Sequence, residues 1–109
     1  MKEIRRDDDG ALLGYIRQVD GGWQPLTVFG HPLGAPGAEE DASGEVHRTG
    51  LDVLMRPWEF FEGGRWYRCV ILEAAADAVR VRPADPDYPG DAYTLVLERP
   101  GPNTLRPEQ

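Results

Sequence analysis

Cys69, Ser43, His31 and His47 are the side chains best suited to nucleophilic, acid–base or metal chemistry, and none has the neighbours such chemistry needs. The histidines stand 16 residues apart, and Asp52 falls five positions beyond His47, off its face of any helix there. A structural zinc site takes three or four nitrogen and sulfur ligands, and only three such side chains exist. The run from Asp85 through Asp87 and Gly90 to Asp91 has the outline of a calcium loop. Pro89 sits at a ligand position and Val96 where the bidentate glutamate belongs, so the segment reads as an Asp/Pro turn.

Ser43 lacks the strand–turn–helix context of a nucleophile elbow and reads as a helix N-cap. Cys69 lies in an apolar strand, where a thiol behaves as a small hydrophobe and no cation lowers its pKa. Three acidic clusters, Asp7-Asp8-Asp9, Glu39-Glu40-Asp41 and Asp85/Asp87/Asp91, fall in tail or loop segments. General acid–base work needs one carboxyl in a dry pocket. No glycine-rich phosphate cradle is present. The sequence therefore assigns no catalytic, cofactor-binding or metal-binding residue, and a non-catalytic chain is the expectation.

The elements that carry these residues are short. A chain of 109 residues is the size of one domain. Its 13 glycines and 10 prolines read as punctuation between strands. The formal charge is −7, which serves solubility and argues against a phosphate-backbone or anionic-membrane partner. One cysteine allows no intrachain disulfide, and no apolar leader is evident, so a cytoplasmic, soluble protein is expected. Arginine outnumbers lysine eleven to one, a usage typical of GC-rich bacterial genomes that carries no function.

Residues 1–10 are charged and read as a frayed segment, 11–98 as a single globular domain, and 99–109 as an extended Pro-rich tail. Within the domain, Asp20-Gly21 joins residues 11–19 to Trp23–Phe29 as a hairpin, pairing Tyr15 with Leu26. Pro25 places its strand at an edge. Residues 30–44 form a loop. Ala42, Val46, Gly50 and Val53 recur at helical spacing, predicting a short helix over 43–55, with a strand over 45–55 as the alternative.

The second hairpin is the clearest element. Gly63-Gly64 pairs Glu62 with Arg65, and so Phe60 with Tyr67 and Trp58 with Cys69. A strand from Ala78 to Arg82 pairs Val81 with Ile71, and Tyr93–Glu98 is a last strand. One face then carries Trp58, Phe60, Tyr67, Cys69, Ile71, Val79 and Val81, which must be core. A slip of one residue would mix the two faces.

The predicted fold class is α+β and β-rich: a twisted antiparallel sheet of five or six strands, able to curl into a partly open barrel, with one short helix. The opposite sheet face carries Phe61, Trp66, Val70 and Leu72 among Glu59, Arg68, Arg80 and Arg82. Aromatic and arginine side chains together mark contact surfaces. The expected function is a small protein-interaction module, binding a protein partner or a second copy as a homodimer through Phe61, Trp66 and Arg68, with Trp23 extending the patch. Two alternatives stand beside it. One is a ligand-binding or enzymatic barrel with a pocket between sheet and helix; the other is an acidic decoy that mimics nucleic acid.

Overall fold

The computed structural model describes all 109 residues, which form two compact units, Met1–Val53 and Leu54–Gln109. Both are built on antiparallel sheets, with three strands in the first and five in the second. The expected single sheet of five or six strands is thus divided. Each sheet is open, and neither is a closed barrel.

The first unit comprises β1 (Lys2–Arg5), β2 (Leu12–Val19), β3 (Gly22–Leu26) and α1 (Glu39–Thr49), in the sheet order β1-β2-β3. The expected hairpin register holds: Tyr15 pairs with Leu26, and Val19 with Gly22 around Asp20-Gly21. Residues 1–10 are not frayed. β1 pairs Ile4 with Gly14, and the connecting turn is locked by its own charges. Arg6 donates twice to Asp9, which also accepts from the Ala11 N–H. The Arg6 hydrogen bonds, and then the Ala11 N–H, hold the Asp9 carboxyl down at about 2.

The loop after β3 is also ordered. Gly37 exchanges two backbone hydrogen bonds with Trp23, Leu33 donates to the Pro25 carbonyl, and Thr27 donates to His31. These bonds occupy the free side of β3, covering an edge already blunted by Pro25.

The helix begins earlier than the spacing suggested. It enters at Ala38 without a side-chain cap and places Glu39, Glu40 and Asp41 in its first turn. Carboxylates there are favoured by the helix dipole. Ser43 is therefore a helix-interior residue and caps nothing. A 3₁₀ turn, Asp52–Met55, follows the helix.

The buried face of α1 is Ala42 and Val46, packed with Leu13 and Ile16 and flanked by Ile4, Trp23, Leu33 and Leu51. The helix approaches the sheet closely because two glycines allow it. A Cβ on Gly14 would meet Val46 Cγ1 of the helix at 2.9 Å, as well as the Leu26 carbonyl oxygen of the adjacent strand at 2.2 Å, and one on Gly50 would meet the Leu13 carbonyl oxygen at 2.4 Å. Gly50 has ordinary helical angles, so its requirement is for space.

The second unit comprises β4 (Trp58–Glu62), β5 (Arg65–Ala74), β6 (Ala78–Pro83), β7 (Leu95–Glu98) and β8 (Leu105–Pro107), ordered β7-β6-β5-β4-β8. Every β4–β5 pair follows from Glu62 facing Arg65. Gly63 and Gly64 both take positive φ, 60° and 85°, as a type I′ turn demands. Ile71 faces Val81, after which a bulge at Leu72 shifts the pairing to Glu73–Arg80. Trp58, Phe60, Tyr67, Cys69, Val79 and Val81 are buried, as the alternation requires, whereas Ile71, expected on the same face, is only half-buried where the bulge begins.

The C-terminal segment is a strand. Leu105 is 1% exposed and pairs with Phe60. A turn in which Leu105 and Thr104 both donate to the Gly101 carbonyl brings it back alongside β4.

Gly50→Ala is expected to destabilise the chain by about 1–3 kcal/mol through overpacking, lowering Tm by about 4–8 °C per kcal/mol. Gly44→Ala, whose new Cβ would meet only the flexible Arg48 guanidinium at 3.2 Å, should raise stability by about 0.5–1 kcal/mol. Thermal unfolding followed by circular dichroism reads both.

Candidate functional site

The face of the second sheet opposite its buried residues carries Phe61, Trp66, Arg68 and Val70, continued by Arg80 and Arg82 on β6, Val96 on β7 and Arg106 on β8. Phe61, Leu72 and Val96 are 42%, 41% and 58% exposed. Trp66 and Val70 are half-buried, while Arg68, Arg80 and Arg82 are exposed.

One end of this face is held by a three-layer contact. The Arg106 guanidinium lies 3.9 Å above the Trp66 ring, and its Nε donates to Glu59 Oε1 at 2.9 Å. Trp66 in turn meets Phe61 edge to face, with ring centroids 5.2 Å apart. A guanidinium can stack and donate at once because its donors lie in the plane of the group. Phe61 and Trp66 are therefore fixed in position, and a preorganised surface loses less entropy on binding.

The arginines differ in their engagement. Arg106 is paired with Glu59, and Arg80 reaches Glu73 at 3.4 Å. Arg68 and Arg82 make no ion pair. Asp85 lies near Arg68, but its oxygens accept the backbone N–H groups of Arg68 and Asp87. Those bonds, first Asp87 and then Arg68, hold its carboxyl below the usual range.

Of the four residues the sequence nominated, the structure brings Phe61, Trp66 and Arg68 together on one sheet face. Trp23 belongs to the first unit. It packs half-buried against the Leu13/Ile16/Val46 cluster, with Lys2 Nζ 5.0 Å from its ring centre. The sequence reading missed Arg106, the residue that positions Trp66. Its signal was the alternation of Leu105 in and Arg106 out, masked by the flanking prolines.

The other chemistry-bearing residues are placed as follows. Cys69 is 1% exposed. Burial, and then the nearby Glu59 charge, push its thiol up to about 12. His31 is half-buried and its pKa is lowered by that burial. The acidic Asp85 loop is no cation site but a brace: its Tyr88 packs edge to face on Phe60 and Tyr67, 5.4 and 5.1 Å between centroids. No group of three His, Cys, Asp or Glu side chains gathers in a metal-holding arrangement. Clefts of 260 Å³ beside α1, lined in part by Pro25, Asp41 and Glu45, and of 160 Å³ beside Glu73 and Arg80 are partly open to solvent. No helix is long and apolar enough to cross a membrane.

Comparison with known proteins adds no family to these observations: no family model, curated protein or solved structure matches the chain.

Removing Arg106 should cost stability, because Glu59, whose side chain is 15% exposed, would lose its charged partner. Arg106→Ala is expected to lower unfolding free energy by about 1.5–3 kcal/mol, with Arg106→Lys recovering only part of it, in urea titrations. The raised Cys69 pKa gives a second test. The folded chain keeps the thiol proton where the unfolded chain has lost it, so this group's stabilising contribution is full below about 9 and falls as pH rises toward about 12. Stability should therefore decline more steeply above pH 9 in the wild type than in Cys69→Ala, and a thiol reagent at pH 8 should label Cys69 only after denaturation.

Proposed function

We propose that the chain is a non-catalytic protein-interaction module whose contact surface is the Phe61/Trp66/Arg68 face of the second sheet. The observation that supports this most is the pairing of exposure with rigidity. Phe61 stands 42% exposed yet is held by Trp66, which Arg106 clamps from above. Such support holds the exposed ring in one position, so that a partner would meet a preorganised surface. Aromatic and arginine residues dominate protein interfaces because they offer large contact area and directional donors at low entropic cost.

The partner is a protein, either another chain or a second copy. A cytoplasmic setting suits a buried free thiol and no disulfide. The acidic-decoy reading is weakened by internal pairing of the acids: Asp9 with Arg6, Glu39 with Lys2 and Glu45 with Arg48. These pairs leave fewer free carboxylates to imitate a row of phosphates.

Site-specific photo-crosslinking in the expressing cell tests the proposal whatever the identity of the partner. A photoreactive phenylalanine analogue at position 61 or 72 should give the same discrete adduct band. The analogue at exposed Gln18, on the first sheet, should not. Equal labelling at all three positions, or none at 61 and 72, would refute the contact face.

A further inference from the structure

We infer that the occupant of this face is an extended acidic polypeptide segment, held by bidentate pairing of its carboxylates to Arg68 and Arg82. The inference rests on the reading of the face as a protein-contact surface, and specifies what that surface selects.

Charge is the first argument. Four guanidiniums stand on the face, from Arg68, Arg80, Arg82 and Arg106, while the chain as a whole carries −7. Its ion-paired carboxylates are Glu59, taken by Arg106, and Glu73, taken by Arg80, while Glu98 stands at the far end of β7. Asp85 and Asp91 border the cleft that Arg82 also lines, but the Asp85 oxygens are bonded to backbone N–H groups, and Arg68 and Arg82 make no ion pair. A basic spot on an acidic molecule disfavours face-to-face pairing of two copies, because arginine would meet arginine. It favours a partner that supplies carboxylates.

Spacing is the second. Val70 pairs with Arg82 across β5 and β6, and Arg68 lies two residues before Val70 on the same face. Arg68 and Arg82 are therefore diagonal neighbours, about 7–8 Å apart. An extended chain rises about 3.3 Å per residue, so its alternate side chains recur at close to that interval. Two carboxylates at positions i and i+2 of a strand can each meet one guanidinium fork. Val70 and Phe61 beside them offer an apolar side chain a place to rest.

A third argument separates a polypeptide from a nucleic acid, which also carries anions. Single-stranded nucleic acid binds such faces by stacking bases on aromatic rings. One face of Trp66 is already covered by Arg106 at 3.9 Å, and Phe61 abuts it edge-on.

The test uses the full chain and an acetylated dodecapeptide, Glu-Thr-Glu-Thr-Leu-Thr repeated twice, followed by fluorescence anisotropy. A version with glutamine for every glutamate and a twelve-nucleotide thymidine oligomer are measured alongside. The glutamate peptide should bind at least about tenfold tighter than the glutamine one, and weaken as salt rises from about 50 to 500 mM. Arg68→Glu/Arg82→Glu should lose at least about tenfold, while Arg68→Lys/Arg82→Lys should lose less, since lysine keeps the charge without the fork. Both variants change exposed residues, and circular dichroism confirms folding.

Equal binding of the two peptides, abolished by Phe61→Ser, would overturn acid selection yet leave the contact face standing. Tighter binding of the thymidine oligomer through the same arginines would overturn the polypeptide. A wild type that self-associates in light scattering, fails to bind the peptide and becomes monomeric on Arg68→Glu/Arg82→Glu would name a second copy as the occupant instead. Failure of every probe, with no effect of Phe61→Ser on any of them, would remove the acidic segment; if positions 61 and 72 also failed to crosslink, the contact-face reading would fall with it.

Discussion

The pairing of Glu62 with Arg65 across Gly63-Gly64 is the constraint on which the second unit depends. Once that turn closes, β4 and β5 have one register, and the period of two in a strand sends Trp58, Phe60, Tyr67 and Cys69 inward. The same period sends Glu59, Phe61, Trp66 and Arg68 outward. A slip of one residue would bury Arg68 and expose Tyr67, at a cost of several kcal/mol for the desolvated charge alone. The buried and contact faces are therefore one decision, made at a two-residue turn whose φ values of 60° and 85° only glycine adopts readily.

Packing then builds outward from that hairpin. Tyr88 closes over Phe60 and Tyr67, and Asp85 ties its loop to the Arg68 backbone. Leu105 fills a place beside Phe60, and its neighbour Arg106, turned outward by the same alternation, reaches Glu59 and covers Trp66. The last strand is only three residues long, yet it links the core to the surface. Burial of Leu105, worth about 1.5–3 kcal/mol, fixes where Arg106 can stand.

Much of this was legible in the sequence because it was local or alternating. Both hairpin registers follow from Asp-Gly and Gly-Gly turns, and the helical face from Ala42, Val46 and Gly50. What escaped the reading involved partners distant in the chain. β1 looked like a charged tail because its stability comes from Ile4 facing Gly14 and from the Arg6–Asp9 lock. β8 looked like a proline-rich extension because a single Leu105 carries no period. The helix start was displaced because Ser43 resembled a cap, while the actual first turn draws on the dipole acting on Glu39, Glu40 and Asp41. The division into two sheets was invisible for the same reason: nothing local says which strands will not pair. The contact face was legible as a set of residues, but its rigid support by Arg106 was not.

The register claim is open to one direct measurement, the nuclear Overhauser contacts between aromatic rings in the folded protein. The account predicts contacts from Phe61 to Trp66, at 5.2 Å between centroids, and from Phe60 to both Tyr67 and Tyr88. It also predicts the absence of contacts from the Phe61 ring to Tyr67 or Tyr88. Contacts from Phe61 to Tyr67 and Tyr88 in place of Phe60 would mean that the strand is turned over. The outward face, and everything built upon it, would then be assigned to the wrong residues.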